Sequence, residues 1–456
     1  MTRDARDRDR LLDAWALFAA AAMVTASLLA LAAGAVATGT GTGFAAPVVV
    51  RLLVGHVFFS LVVAATSFAA VLWIHSARLL EGSRFSNRSG WIGWWLAAAG
   101  ALLAMVGTLG PWGTPVLTEF VPVIVDPLFL SGFGLFMAGI ALTTGAFGAA
   151  VAGAEIGRMP LVVYGMACSA GMMVATGLAG VASLTRLFGD WLAFRLAWRT
   201  PVVLFQAIFW GPAHLIQFAV IAAMVSAWIL MLPGRTPDAR SERVGRGVFL
   251  VLLLFAGVTL VVLYAWNPLD LPKASTLNTL ISDSQALPVA VMAVAILRAM
   301  RRRGAGVPAP GLLLSLLLFA WGLLIVLVGI RQEGNAWVPA HYVAMIPGAV
   351  LSAFMAITSA LVRGERRPAM TALSAVQPAL YAGGVFVCSL ALLWSALAGG
   401  ERRGYFVTMP AEGPSVLLWA GGIATGLGVL AFATGVGDAV IGAARRPFGR
   451  TADSTV

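Results

Sequence analysis

Apolar runs of about 20 residues recur along the whole chain, separated by shorter stretches that hold most of its charge. A bilayer core of ~30 Å takes about 20 apolar residues as helix, so each run predicts one membrane-spanning helix. Twelve are predicted, over 14–37, 50–77, 91–109, 123–148, 160–184, 201–232, 247–266, 284–300, 310–330, 337–362, 375–398 and 415–436. The eighth is short and carries Arg298 near its end, but the charge pattern that follows requires a crossing there.

Composition agrees with the pattern. With 456 residues, 60% hydrophobic, 11% charged and a mean hydropathy of +0.91, the chain is an all-α integral membrane protein rather than a soluble one. A net charge of +11 is compatible with a nucleic-acid partner, but its distribution follows topology. Placing both termini in the cytoplasm gives that side 22 basic residues and the outer side eight, as the positive-inside rule requires. The basic runs at 298–303 and 363–367 then act as cytoplasmic anchors, and membrane lipid, not nucleic acid, is the surrounding partner.

The expected organisation is a cytoplasmic tail over 1–13, a single twelve-helix domain over 14–436 and a second cytoplasmic tail over 437–456. The expected location is a bacterial-type inner membrane. The first apolar run is long enough to span and shows no clear cleavage site, so it is expected to stay. The Gly-rich stretch 34–47 is expected to be an outer connector, and Cys168 and Cys388 to be small core residues.

Candidate chemistry is confined to a few polar groups inside the spans. His75 falls at the inner end of the second span beside Arg78 and reads as an interfacial residue. His56, His214 and His341 lie in the second, sixth and tenth spans, which all enter from the outer side. His56 and His341 are expected at similar depth near the outer face, with His214 deeper. Ionisable side chains in lipid face a cavity, a protein interior or a metal. Three such helices can bring imidazoles to a metal or heme region, although histidine also serves as hydrogen-bonded glue between helices or as a transport residue. No carboxylate falls mid-span: Asp126 and Asp438 are near span ends, and Glu119 and Glu155 lie in loops.

The stretch "RLLVGHVFFSLVVAATSFAAVLWIHSARLL" resembles the second helix of heme-copper oxidase subunit I, the family of cytochrome c and quinol oxidases and nitric oxide reductase large subunits. "LGPWGTPVLTEFVPVIVDPLFLSGFGLFMAG" is similar to its connection between the third and fourth helices. "FWGPAHLIQF" resembles its copper-binding sixth-helix motif and "VPAHYVAMIPGAVLSAFM" its heme-binding tenth-helix motif. The resemblance implies a twelve-helix subunit with one or two hemes. It assigns His56 to low-spin heme iron, His341 to high-spin heme iron and His214 to a vestigial copper site. In "GGERRGYF" it gives Arg402 and Arg403 the role of neutralising heme propionates, which planar guanidinium forks suit. A plain outer-loop charge pair with Glu401 is the other reading of those arginines.

The departures from the family pattern matter as much. Where the tenth-helix motif carries a second histidine, this chain has Val343. The seventh span, "GVFLVLLLFAGVTLVVLYAW", lacks the family's histidine pair, so the copper ligand set is incomplete. Ile216 and Phe218 stand where many relatives have a glutamate and a tyrosine, and Tyr264 lies too near the outer end to replace the latter. The expected function is therefore a heme-binding subunit of a respiratory electron-transfer complex, with partner subunits and with copper-dependent oxygen reduction lost or weak. Its nearest enzyme class is the cytochrome c oxidase-type oxidoreductase. A heme-free structural or assembly relative and a twelve-helix secondary transporter are the alternatives.

Overall fold

The structure, a computed structural model, describes residues 3–39, 46–118, 121–189, 200–232, 239–265, 271–302, 309–329, 336–363, 372–399 and 412–444. In lipid every backbone N–H and C=O needs an internal partner, so apolar runs of this length fold as helices. Among the described residues, twelve helices are long and apolar enough to cross a membrane. They are α1 (Asp4–Ala37), α2 (Pro47–Arg78), α3 (Asn87–Leu109), α4 (Pro127–Ala152), α5 (Leu161–Gly189), α6 (Pro201–Leu230), α7 (Arg240–Val262), α8 (Ser284–Arg301), α9 (Pro310–Gly329), α10 (Trp337–Val362), α11 (Ala375–Leu397) and α12 (Gly413–Gly442).

The boundaries differ from the sequence expectation where local capping overrides hydropathy. The fourth span begins at Pro127, not 123: the Asp126 side chain accepts from the N–H groups of Leu128 and Phe129 at 2.9 and 3.1 Å, and Pro127 takes the first helical position. Val123–Val125 instead forms strand β2, antiparallel to β1 (Thr114–Val116). Residues 3–13, expected in a tail, extend α1 by helical turns. They are tied down by the Arg78–Asp9 ion pair and by Arg8, which donates to the Ala77 carbonyl at 3.3 Å. The first helix also continues through Gly39, so residues 34–39 of the expected connector are helical, with Gly34 against the Trp419 ring.

Adjacent helices pair closely, most extensively α3 with α4, α5 with α6 and α11 with α12. The α3–α4 pair depends on glycine: a Cβ on Gly100 would run into the backbone of Phe136, and one on Gly132 into that of Ala104. Small residues that let backbones approach are a recurrent basis of helix association in membranes.

Inside this frame, α2, α6 and α10 touch one another. The apolar window of α2 is 89% buried and that of α6 78%, the two highest values among the twelve. These are the three helices that carry His56, His214 and His341. Sequence separation hides this, whereas packing brings them to the middle of the bundle.

Candidate functional site

Each of the two helices α2 and α10 carries a seven-residue π-helical segment just after its histidine, Phe58–Ala64 after His56 and Ala344–Val350 after His341. The two segments pack against each other. π segments widen the helix, leave carbonyls without their usual partners and concentrate at functional sites. Side chains answer those carbonyls here. Ser60 Oγ donates to the His56 carbonyl at 2.8 Å, Ser315 Oγ to Ala349 O at 2.6 Å and Tyr381 Oη to Pro347 O at 2.7 Å. Trp228 Nε1 completes the chain by donating to Ser315 Oγ at 2.8 Å.

Two apolar cavities lie beside these segments. The first, about 260 Å³, sits among α1, α2, α10, α11 and α12 and is lined by His56, Val343, Tyr381 and Cys388 together with mostly apolar side chains. The second, about 310 Å³, sits among α2, α6, α8, α9 and α10 and is lined by His341, Gln217, Gln285 and Tyr342 among apolar groups.

The two histidines are held alike. His56 Nδ1 lies 2.9 Å from the Ala26 carbonyl on α1, and His341 Nδ1 lies 2.9 Å from the Gly322 carbonyl on α9. A carbonyl can only accept, so each Nδ1 carries the proton and donates it. In the neutral ring the lone pair then resides on Nε2. A backbone carbonyl that fixes the tautomer in this way is the usual support of a metal-binding imidazole. The side chains therefore fit iron ligation in both cavities.

His214 is placed differently. It is 3% exposed, its Nδ1 donates to the Trp210 carbonyl at 2.6 Å within its own helix, and its ring lies 4.5 Å from that of Trp210. Its neighbours Ala213, Ile216 and Gln217 line the second cavity. Among the described residues no group of three His, Cys, Asp or Glu side chains could hold a metal ion, so the histidines do not converge on one metal. The residues present do not fit a three-ligand copper site. His75 is half-buried near the C-terminal end of α2.

Arg402, Arg403, Glu401 and Glu119 lie outside the described residues, as does the side chain of Tyr264. Arg51, one of the eight basic residues that the charge pattern assigns to the outer side, is an anchor. It donates to the carbonyls of Gly107 and Gly113 at 3.1 and 2.6 Å and so fixes the N-terminal end of α2 to the end of α3 and the start of β1, where Gly113 takes a φ of 72°. Sequence reading also missed Gln217, Gln285 and Tyr381, and read Cys388 only as a small core residue. The only signal for the glutamines was a carboxamide inside an apolar run.

The family model for cytochrome c and quinol oxidase polypeptide I matches residues 14–430, and the chain belongs to that family. This sets aside the transporter reading that helix number alone leaves open. A cryo-electron-microscopy structure of a heme-copper terminal oxidase dimer has the same fold, with a TM-score of 0.75 at 16% sequence identity over 99% of this chain and 86% of that one. Among curated proteins none matches. The protein is thus a multi-pass membrane protein of the heme-copper oxidase subunit I family, with the twelve-helix fold expected of it.

Proposed function

We propose that this chain binds heme at His56 and at His341 and serves as an electron-transfer or gas-handling subunit of a membrane respiratory complex, without copper-dependent oxygen reduction of its own. The observation that carries the proposal is the shared setting of the two imidazoles. Each donates Nδ1–H to a backbone carbonyl of a neighbouring helix and so leaves Nε2 as the ligand atom in a cavity.

A bound heme supplies one-electron redox chemistry and an iron that takes small gases. The chain supplies position and environment. Ala26 and Gly322 set the tautomer and angle of each ring, and the largely apolar lining suits the hydrophobic face of a macrocycle. In the first cavity Val343 stands where the family places a second histidine, so His56 is the sole imidazole lining that space among the described residues. In the second, His214 lacks companions for copper, and no protonatable group occupies positions 216 or 218.

Orientation and membrane follow the charge split. Both termini face the cytoplasm of a bacterial-type inner membrane, which puts Arg402 and Arg403 on the outer side to meet propionates. Partner subunits supply the electron donor. An absorption spectrum of the purified chain tests the central claim: a Soret band with reducible α-bands is expected. Its absence would leave a structural or assembly relative that kept the bundle and lost the cofactors.

A further inference from the structure

The His341 cavity contains polar groups that heme ligation alone does not use. Gln217 on α6 and Gln285 on α8 both line it. Gln285 is 8% exposed, and its Nε2 has no hydrogen-bond partner. A buried amide donor left without a partner is unfavourable, so such a group inside a helical bundle calls for an explanation. The remaining walls are apolar, including Val121, Val289, Phe319 and Leu323. No side chain lining the cavity carries a formal charge at neutral pH when His341 is neutral, so it would disfavour an ion.

We propose that Gln285, with Gln217, is the recognition element of this cavity for a small, neutral molecule bearing a hydrogen-bond acceptor atom, of the size and polarity of a diatomic gas. The assignment rests on the heme reading above, in which His341 holds the iron. It departs from the family pattern, where copper ligated by histidines faces the bound gas. In this chain carboxamides replace that metal as the polar partner. A carboxamide N–H stabilises partial negative charge on the outer atom of a bound diatomic and holds it without transferring an electron. A site so equipped retains or senses a gas rather than reducing it.

Carbon monoxide is the probe, read by infrared spectroscopy on the reduced, purified full-length protein. The band to follow is the one His341→Ala abolishes. A hydrogen bond to the carbonyl oxygen strengthens back-donation and lowers the C–O stretch, so Gln285→Met is expected to move that band to higher wavenumber and Gln217→Met to move it less. The Soret absorbance per chain should stay at the wild-type level in both. An unshifted band in both variants, with heme intact, overturns the inference and leaves heme binding standing. Loss of the Soret band in Gln285→Met alone also overturns it, because Gln285 then holds the cofactor rather than the ligand. A wild-type protein with no Soret band overturns both this inference and the heme reading beneath it.

Discussion

Phe68 and Phe354 lie with ring centroids 5.7 Å apart, which sets the register of α2 against α10. His56 precedes Phe68 by 12 residues and His341 precedes Phe354 by 13. At about 1.5 Å per residue, the two imidazoles stand at nearly the same depth on neighbouring helices. They nevertheless line different cavities, because each is hydrogen-bonded to a different flanking helix, α1 or α9.

That geometry predicts two separable heme signals. His56→Ala should remove one component of the reduced spectrum and His341→Ala the other, while His75→Ala keeps both. If either of the first two keeps a full, unshifted Soret band, the ligand at that cavity has been misassigned.

The absence of a second histidine in the first cavity is directly testable. Val343 lines that space with His56. Val343→His should convert the heme there to bis-histidine, low-spin ligation, read as a sharpened α-band and a low-spin signal in electron paramagnetic resonance. A wild-type spectrum already low-spin at this site would mean that another side chain ligates, and Cys388, which lines the same cavity, is the one to replace next.

The limits of legibility follow from what each feature depends on. Twelve spans, the three histidine helices and their common direction were readable because each is written in local hydropathy and charge. The division of His56 and His341 between two cavities was not, because it depends on which neighbouring helix offers a carbonyl. The π segments after both histidines leave no compositional mark. The start of α4 was readable in principle, since Asp126-Pro127 is a cap signature, but the apolar Val121–Val125 run masks it. Gln285 lies at the start of the shortest helix window, where hydropathy is weakest.

Packing of α3 on α4 gives a stability prediction with an internal control. A Cβ on Gly100 would collide with backbone, whereas Gly134 has nothing within 4 Å of its position. Gly100→Ala should destabilise by about 1–3 kcal/mol, as overpacking does. Gly134→Ala should be neutral or stabilising by up to about 1 kcal/mol, because alanine favours helix. Thermal unfolding of the two variants in detergent compares them, and equal melting temperatures would contradict the close approach.

Topology is checked by single-cysteine labelling in intact cells, using a background in which Cys168 and Cys388 are replaced. A cysteine at position 402 should react with an impermeant reagent, and one at 302 only after the membrane is opened. The reverse pattern would overturn the cytoplasmic placement of both termini and put the histidine cavities, together with Arg402 and Arg403, in the inner half.

The last prediction concerns catalysis. Reducing oxygen to water takes four electrons, and the family draws on copper and a tyrosine for those that heme iron does not supply. Here α7 offers no histidine, and His214 donates within its own helix to Trp210 without two metal-ligating companions. Phe218 is fully buried where many relatives place the tyrosine, and Ile216 occupies the acid position. These are losses of side chains, and no rearrangement of the same helices restores them. The purified chain should therefore consume oxygen slowly or not at all with an artificial donor, while it still binds carbon monoxide. Turnover near the ordinary enzyme rate of ~10 per second, with copper bound stoichiometrically, would overturn this prediction and point to ligands contributed by a partner subunit.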